Sequence, residues 1–383
     1  MISERTRDVS SEPFRLALNL PKDVIRLSGG EPDFETPGFV REAAKTALDQ
    51  GFTHYTPAQG YEDLRKAVAD KLRRENGIVC DCEREVVITP GSSSGIFMAL
   101  LTLLNPGDEA LLPDPAWFHY ATLVRLCGAT PVSLPVRLGE EVWFDLEEAK
   151  KRVTDRTKVL ILNSPCNPTG MMISRDTLNA IGEFTEKNNL TVISDEVYEK
   201  IVYPGNTHTS PASLPALKER TLTSNGFSKA YAMTGWRVGY LAGPREIIEK
   251  VTALNGYILV CPSSVSQKAA FVALTDPRMS PIITGMVERF ARRRKMVLDA
   301  LDLPGIKAYP PQGTFYAWVD ISKTGMSSEQ FAYKLLESER VGVLPGNLFG
   351  DRGKGHMRIS FATGENLLAQ ALDRIRTFIL RKS

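Results

Sequence analysis

Four kinds of polar group follow predicted strands in the middle of the chain, where they could carry out chemistry. They are a carboxylate, an amide, an amine and a glycine–serine turn, contributed by Asp195, Asn163, Lys229 and residues 91–94. Each follows a short run typical of a strand, and the clearest runs are residues 158–162 and 190–194. Ligands of open parallel sheets bind outside the carboxyl ends of the strands. The sequence therefore predicts a ligand site at one edge of a sheet.

The glycine–serine turn could bind an anion. Residues 86–89 predict a strand, residues 91–95 a loop and residues 96–104 a helix. The backbone N–H groups of Ser92 and Ser93 would then face an anion at the start of a helix, where the helix dipole also favours negative charge. A turn of this composition is equally typical of a plain connection. The turn alone therefore does not indicate an anion site, and only the other residues around it can decide.

Strands and helices alternate through the middle of the chain, which predicts a mostly parallel α/β sheet. Continuous apolar runs such as residues 158–162 are typical of strands that are covered on both faces. Further elements of this part are a strand and two helices, expected at residues 109–112, 116–127 and 174–188. The pattern then changes to a long helix, two strands and a closing helix, at residues 281–301, 315–321, 357–361 and 367–380.

This change of pattern predicts two domains. Residues 41–280 would form a large domain around the mostly parallel sheet, and residues 281–383 a smaller α+β domain. Residues 1–24 show no sheet pattern of their own. The N-terminal segment, residues 1–40, is therefore expected to pack with the small domain.

Composition and charge exclude several classes of protein. A net charge of +2 gives no strong field for nucleic acid or an acidic membrane surface, and no apolar stretch is long enough to span a bilayer. The 5 cysteines are scattered and odd in number, which predicts free thiols in a reducing compartment. The 4 histidines form no metal-binding pattern, so no metal is expected. Residues 1–10 lack the apolar core of a secretory signal, and a cytoplasmic location is expected.

A longer segment carries a more specific pattern. The segment S-K-A-Y-A-M-T-G-W-R-V-G-Y at residues 228–240 resembles the cofactor-lysine motif of the class I aminotransferases, the fold-type-I pyridoxal phosphate enzymes. The resemblance is to the prokaryotic aspartate and aromatic aminotransferases in particular. Further motifs of that family are resembled by G-E-P-D-F, N-P-T-G, D-E-V-Y and R-I-S, which begin at Gly30, Asn167, Asp195 and Arg358. The motifs follow the family's order, so the resemblance extends over nearly the whole chain and implies the family's fold.

The resemblance implies the cofactor pyridoxal 5'-phosphate and residues that hold its ring. Lys229 would bind the cofactor covalently, which needs a neutral amine and therefore a lowered pKa. Asp195 would keep the ring nitrogen protonated, so that the ring remains a strong electron sink. Asn167 and Tyr198 would donate hydrogen bonds to the phenolate oxygen of the ring.

The resemblance also implies how the cofactor phosphate and the ring face are bound. Arg237 would bind the phosphate through a bidentate fork. The other phosphate contacts would be Gly91, Ser92, Ser93 and Ser228. Trp117 would stack on the ring, with Phe118 as the rival position. Tyr55 would reach the phosphate of the neighbouring subunit, because family members build each site at a homodimer interface; the alternative for Tyr55 is a buried aromatic near a turn.

The implied reaction is a ping-pong transfer between an L-amino acid and a 2-oxo acid. Arg358 would bind the substrate α-carboxylate, for which a planar guanidinium is suited, while Gly30 and Asn167 would help to place it. Lys229, once displaced by the amino acid, would act as the general base at the substrate Cα. A 2-oxo acid would leave, the cofactor would remain as pyridoxamine phosphate, and a second oxo acid would reverse the steps.

Two positions depart from the family pattern. Many relatives carry a hydroxyl residue three positions before the lysine, where this chain has Gly226, so one phosphate contact is in doubt. An aspartate-selective branch carries a lysine in the phosphate loop, where this chain has Ser93. Aspartate, aromatic, aliphatic and broad specificity therefore stay open. Residues 16–20 and 257–262 are expected to shape the pocket for the substrate side chain.

Two other functions share parts of this pattern. A pyridoxal-phosphate-dependent β-lyase or cyclase would also use Lys229, Asp195 and Arg358. Product analysis separates them, because a lyase releases ammonia and pyruvate from one substrate, whereas a transaminase needs an added oxo acid. A regulatory sensor on this fold would carry an N-terminal helix-turn-helix domain. The G-E-P-D-F motif begins at residue 30, so no such domain is expected.

Overall fold

The computed structural model describes residues 2–7, 9–139 and 142–381. Met1 and Asp8 of the predicted N-terminal segment, together with residues 140, 141, 382 and 383, lie outside the described residues. The strands in chain order are β1 (Ile25–Arg26), β2 (Val86–Thr89), β3 (Glu109–Asp114), β4 (Thr130–Leu138), β5 (Val142–Phe144), β6 (Thr157–Asn163), β7 (Thr191–Asp195), β8 (Thr221–Gly226), β9 (Gly239–Ala242), β10 (Lys307–Tyr309), β11 (Tyr316–Asp320), β12 (Val341–Gly342), β13 (Leu344–Pro345) and β14 (His356–Ser360). The helices in chain order are α1 (Glu4–Arg7), α2 (Glu12–Leu18), α3 (Gly38–Asp49), α4 (Glu62–Lys71), α5 (Ser92–Leu103), α6 (His119–Leu126), α7 (Leu146–Arg152), α8 (Arg175–Lys187), α9 (Pro215–Lys218), α10 (Arg245–Leu259), α11 (Ser264–Thr275), α12 (Met279–Ala300), α13 (Ser328–Glu339) and α14 (Glu365–Leu380).

The large sheet is mixed and has a parallel centre. Within the described residues its strands lie in the order β2-β9-β8-β7-β6-β3-β4-β5. The strands from β8 through β4 pair in parallel, whereas β9 is antiparallel to both of its neighbours and β5 is antiparallel to β4. The predicted α/β class with a mostly parallel sheet is confirmed. The antiparallel strand β9, which follows the lysine motif, was not expected from the sequence.

Both faces of the large sheet are covered, which explains the continuous apolar runs of its strands. Alternate residues of a strand point to opposite faces. In β6, Leu160 and Leu162 belong to a core that includes residues of α8. Val159 and Ile161 belong to a separate core that includes residues of α5 and α10. A strand in this position must be apolar on both faces.

The predicted loop at residues 91–95 is wrong, because α5 begins at Ser92. Gly91 precedes the helix with a φ of 83°, a conformation that glycine adopts without a penalty from a side chain. Serine is disfavoured inside helices but is common in the first turn, where backbone N–H groups have no acceptor within the helix. The serine run therefore forms the helix start itself rather than a connection to it.

The predicted start of the next helix is also wrong, since α6 begins at His119 and not at residue 116. The Ala116 N–H group donates instead to Phe349 O at 2.9 Å, which joins this connection to the C-terminal part of the chain. The other predicted elements of the middle and the C-terminal part fall within about two residues of the observed bounds.

A smaller sheet forms in the C-terminal part of the described chain. Its strands lie in the order β10-β11-β14-β13 and pair antiparallel. Phe290 of α12, Ile359 of β14 and Phe378 of α14 belong to one buried core with this sheet. Leu27 of the N-terminal segment joins the same core, and β1 pairs in parallel with β12. No helix among the described residues is long and apolar enough to cross a membrane.

An ion pair fixes the G-E-P-D-F motif to α12. Arg293 is 4% exposed and donates to both carboxylate oxygens of Asp33, at 2.7 and 2.8 Å. The same guanidinium lies 5.4 Å from the ring centroid of Phe34. Two parallel hydrogen bonds give a bidentate pair its strength and its fixed orientation. The pair therefore holds the N-terminal segment against the helix that supports the small sheet.

Replacing Asp33 by alanine should destabilise the protein, because the buried Arg293 charge loses its partner. Asp33 itself is exposed, so the loss comes from the Arg293 charge that stays buried. We expect the free energy of unfolding in urea to fall by about 1–3 kcal/mol, the usual cost of leaving a buried donor group unpaired. Asp299 pairs with Lys295 on the exposed surface and provides the control. Asp299→Ala should lower the free energy of unfolding by less than about 1 kcal/mol. Equal losses in the two variants would contradict this account.

Candidate active site

A cavity of about 310 Å³ lies at the carboxyl ends of β6, β7 and β8, at the sheet edge where the sequence predicts a ligand. Residues expected to hold the cofactor line it, namely Ser92, Ser93, Trp117, Ser228, Lys229 and Arg237, whereas the expected phosphate contact Gly91 does not. It is also lined by Gly30, Asn167, Asp195, Tyr198 and Arg358. The fold thus brings the predicted motifs from distant parts of the chain to one place.

Lys229 and Asp195 face this cavity with altered acidities. The Lys229 amine donates to Gly30 O at 2.6 Å. Burial, together with the nearby Arg237 charge, lowers the pKa of Lys229 to about 8, as the sequence predicts. Asp195 is 3% exposed, and burial raises the pKa of its carboxyl to about 6. Near neutral pH the cavity therefore holds a carboxylate and an amine that loses its proton readily.

Tyr120 fixes the orientation of Asp195. Its hydroxyl donates to Asp195 Oδ2 at 2.7 Å, and the Val197 N–H group donates to Oδ1 at 3.3 Å. Both hydrogen bonds favour the carboxylate form, so they oppose the effect of burial on the pKa. Tyr120 was not predicted from the sequence. Its position three residues after Trp117, at the start of a helix, was the available signal.

Arg237 and the start of α5 form a cradle for an anion. A Cβ built on Gly91 would lie 2.5 Å from Arg237 Nη2, so only glycine lets the guanidinium approach this closely. Arg237 Nη1 donates to Thr234 O at 2.9 Å, and no carboxylate of the described chain pairs with it. The helix dipole of α5 adds positive potential at Ser92 and Ser93. This end of the cavity is therefore suited to a phosphate group.

Arg358 is buried and holds two neighbouring segments. It is 2% exposed, and it donates from Nη1 to Asn167 Oδ1 at 2.9 Å and from Nη2 to Ser28 O at 2.6 Å. Among the described residues, Arg358 Nε is buried without a hydrogen-bond partner. A buried donor without an acceptor is costly, more so on a charged group. A carboxylate ligand would satisfy it.

Tyr198 meets a second tyrosine that the sequence analysis did not single out. The hydroxyl oxygens of Tyr198 and Tyr316 lie 2.9 Å apart, and burial raises the pKa of both phenols. Tyr316 lies on β11, which pairs with the strand that carries Arg358. The predicted strand at residues 315–321 contained this tyrosine. Its partner strand and its register, which bring it to the cavity, could not be read from the chain.

Both candidates for stacking on a ligand ring, Trp117 and Phe118, line the cavity. Trp117 stacks on His119, with ring centroids 3.8 Å apart and ring planes 18° from parallel. Burial, with a contribution from the Lys229 charge, lowers the pKa of His119 to about 4. The imidazole is therefore neutral near neutral pH. His119 is a further cavity residue that the sequence did not indicate.

Two predicted regions do not reach the cavity of the described chain. Tyr55 is 82% exposed and does not line it, which excludes the alternative of an aromatic buried within one chain. Residues 257–262 do not line it either, and Tyr257 is 91% exposed. Of residues 16–20, the side chains at positions 17 and 18 lie outside the described residues.

The departure at Gly226 has a structural explanation. Gly226 pairs with Gly239 where β8 and β9 lie side by side. A Cβ on Gly226 would lie 3.1 Å from Gly239 Cα and 3.1 Å from Val238 O. A hydroxyl residue at this position would therefore require the two strands to move apart, so the close strand pairing accounts for the glycine.

Comparison with known proteins identifies the class of protein. The family model described as aminotransferase class I and II matches residues 22–375. An aspartate aminotransferase of Pyrococcus abyssi is 43% identical over 361 residues, covering 94% of this chain and 93% of the relative. An aromatic-amino-acid aminotransferase of Thermococcus litoralis is 40% identical over 384 residues, covering 100% and 99%. The solved structure of an aromatic aminotransferase from Pyrococcus horikoshii has a TM-score of 0.92 at 42% identity, covering 97% of this chain and 98% of that one.

The chain belongs to the aminotransferase class I and II family. It is an enzyme that transfers an amino group, and the predicted family, fold class and transaminase function are confirmed. The relatives do not favour the β-lyase or cyclase alternative.

The burial of Asp195 predicts a gain in stability when the carboxylate is removed. Because its pKa is raised in the folded protein, ionisation of Asp195 lowers stability as pH rises from about 4 to 6, and the full cost remains above pH 6. Asp195→Asn should therefore raise the free energy of unfolding of the cofactor-free protein at pH 8 by about 3 kcal/mol, and by about half as much at pH 5. Urea unfolding at both pH values measures this.

The control for this prediction is Asp302→Asn, which removes an exposed carboxylate. It should leave the free energy of unfolding nearly unchanged at both pH values. A loss of stability in Asp195→Asn at pH 8 would contradict the assignment of a destabilising buried charge.

Proposed function

We propose that this chain is a pyridoxal 5'-phosphate-dependent aminotransferase that moves the amino group of an L-amino acid to a 2-oxo acid by a ping-pong mechanism. The observation that carries the proposal is the pairing of Lys229 and Asp195 in one cavity. An amine with a pKa of about 8 is suited to covalent bonding with an aldehyde, and a buried carboxylate is suited to a protonated ring nitrogen.

The residues of the cavity fit a phosphorylated aromatic cofactor. Arg237 lacks a carboxylate partner among the described residues and lies against Gly91 at the start of a helix. We propose that Arg237 binds the phosphate as a bidentate fork. The remaining phosphate contacts would be Gly91, Ser92, Ser93 and Ser228. Trp117 would cover one face of the ring, with Phe118 as the rival.

The cofactor, when bound, supplies an electron sink that stabilises negative charge at the substrate Cα. Asp195 would hold the proton at its ring nitrogen, and the cationic ring would in turn lower the pKa of Asp195. Tyr198 would donate to the ring oxygen. Asn167 Oδ1 already accepts from Arg358, so Nδ2 of Asn167 remains the donor for the same oxygen. Lys229 would remove the proton from the substrate Cα and deliver it to the C4' carbon of the cofactor.

Arg358 would bind the substrate α-carboxylate. Its buried Nε without a partner supports this role, since a carboxylate oxygen would satisfy that donor. Gly30 lines the same part of the cavity, and Asn167 holds the guanidinium in place. The relatives act, by name, on aspartate, aromatic amino acids and prephenate, and we propose amino acids and oxo acids of these classes as the substrates to test.

We further propose a homodimer with shared active sites. Tyr55 and Tyr257 are exposed, and residues 258–260 add an exposed apolar stretch at the end of α10. Exposed apolar patches of this kind are typical of interfaces. Tyr55 of the partner subunit would then reach the cofactor phosphate.

The organisation of the chain and its compartment complete the proposal. We propose an N-terminal segment of residues 1–40, a large cofactor-binding domain of residues 41–280 and a small domain of residues 281–383. The core shared by Leu27 and the small sheet supports packing of the N-terminal segment with the small domain. All 5 cysteines are free, which supports a reducing, cytoplasmic location.

Trapping the cofactor tests the proposal directly. We expect the purified protein, incubated with pyridoxal phosphate and reduced with borohydride, to carry the reduced cofactor as a covalent label on the peptide that contains Lys229. Lys229→Arg keeps the charge but should abolish this label, since a guanidinium cannot bond an aldehyde in the same way. In the unreduced enzyme, a single L-amino acid should convert the visible absorption band to that of the amine form and release a 2-oxo acid.

Two outcomes would contradict the proposal. Label on surface lysines with Lys229 unmodified would exclude the covalent site. Persistence of the visible band while ammonia accumulates would indicate a lyase.

Combining two impaired variants in one dimer tests the shared site. In a heterodimer of Lys229→Ala and Tyr55→Ala subunits, the site with an intact Lys229 would receive an intact Tyr55 from the partner subunit. With equal amounts of both subunits and random pairing, half of the dimers are heterodimers. One of the two sites in each heterodimer is intact, so about one quarter of wild-type activity should return. Activity no higher than the mean of the two parents would show that Tyr55 does not act across the interface.

A further inference from the structure

Three separate parts of the chain meet at the side chain of Tyr316. The Tyr198 hydroxyl lies 2.9 Å away. The Arg358 guanidinium lies over the Tyr316 ring, 4.2 Å from its centroid. A Cβ built on Gly30 would lie 2.8 Å from the Tyr316 hydroxyl oxygen. This phenol therefore contacts the groups proposed to bind the cofactor ring oxygen and the substrate carboxylate.

The strand register explains how Tyr316 reaches both groups. In the antiparallel pair of β11 and β14, Tyr316 faces Ser360 and Trp318 faces Arg358. Directly opposed residues share one face of a sheet, so Tyr316 and Arg358 are diagonal neighbours on that face. A guanidinium over an aromatic ring is an attractive arrangement. It fixes the ring of Tyr316 and leaves its hydroxyl directed at Tyr198.

The direction of the hydrogen bond between the two tyrosines follows from counting hydrogens. Burial raises the pKa of both phenols, so each keeps its hydrogen near neutral pH. A phenol has one hydrogen to donate but can also accept. Under the proposed function, Tyr198 gives its hydrogen to the ring oxygen of the cofactor. The hydrogen between Tyr198 and Tyr316 must then come from Tyr316.

We infer that Tyr316 is a positioning residue that donates to Tyr198 and thereby strengthens the hydrogen bond from Tyr198 to the cofactor ring oxygen. The inference rests on the proposed function and assigns Tyr316 a part in it. Hydrogen bonds in a chain polarise one another, so a donor that also accepts becomes a better donor. Because its ring supports Arg358, Tyr316 links the cofactor-binding tyrosine to the substrate-binding arginine.

Gly30 has a defined place in this arrangement. Any side chain at position 30 would occupy the space of the Tyr316 hydroxyl, which a Cβ would approach to 2.8 Å. The first motif of the chain therefore leaves room for a hydroxyl supplied from the small sheet. The Gly30 carbonyl also accepts from the Lys229 amine at 2.6 Å. Gly30 therefore lies next to both Lys229 and Tyr316.

Tyr316→Phe tests the inference, because it keeps the ring over Arg358 and removes only the hydroxyl. A hydrogen bond donated to the ring oxygen favours its deprotonated form and lowers the pKa at which the visible band of the bound cofactor changes with pH. Removing the Tyr316 hydroxyl should therefore raise this spectral pKa. The expected shift is about 0.1–0.6 unit, since a neighbouring bond adds roughly 10–30% to the effect of the direct one.

A double variant shows whether the effect passes through Tyr198. Tyr198→Phe should raise the spectral pKa more than Tyr316→Phe does, and adding Tyr316→Phe to it should produce no further shift. The structural control is Tyr203→Phe, which removes a buried hydroxyl that donates to Thr314 O outside the cavity. It should lower the thermal midpoint without moving the spectral pKa.

Two results would overturn the inference: an unchanged spectral pKa in Tyr316→Phe, or an equal shift in the presence and absence of the Tyr198 hydroxyl. These failures differ from failure of the proposed function. If the unmodified protein formed no visible band with pyridoxal phosphate, the cofactor assignment would be wrong, and the inference would be wrong with it.

Discussion

The buried guanidinium of Arg358 is the interaction on which the geometry of the site depends. It joins β14 to the loop after β6 through Asn167 and to the N-terminal segment through Ser28. Hydrogen bonds from Nη1 and Nη2 offset part of the cost of burying this cation, so the two segments that supply the acceptors converge on it. The convergence brings Gly30 and Asn167 into the lining of one cavity. The residues proposed to bind the substrate carboxylate and the cofactor ring are thereby joined by the hydrogen bonds of one arginine.

The cavity collects charges that the protein alone leaves incompletely matched. Arg237, Lys229 and Arg358 contribute positive charge to the lining, and Asp195 is a buried carboxylate of the same lining. Burial disfavours the charged forms of Lys229, Arg358 and Asp195, which lowers the pKa of the amine and raises the pKa of the carboxyl group. A phosphate, a ring cation and a substrate carboxylate are complementary to them. The buried charges lower the stability of the folded protein and at the same time allow it to bind charged ligands, a common feature of active sites.

The scaffold holds these groups rigidly because the central strands end together and are buried on both faces. The carboxyl ends of β6, β7 and β8 carry Asn163, Asp195 and the chain that leads to Lys229. Packing of helices on both faces leaves the strand ends as the place where polar groups can be presented without disrupting a core. Gly226 pairs closely with Gly239, three positions before Lys229. At this position the packing of two backbones determines the residue type, and not the chemistry of a side chain.

The sequence by itself determined most strands and helices of the middle of the chain, because continuous apolar runs and helical periodicity are local properties. It did not determine the starts of α5 and α6 or the antiparallel strand β9. It also identified Lys229 and Asp195, which stand in specific local motifs. Only the tertiary structure brought in Tyr120 and Tyr316. The Tyr198–Tyr316 contact joins residues 118 positions apart and depends on the register of two strands, which no local pattern records. The pKa values were likewise decided by burial, a property of the folded chain and not of the residue type.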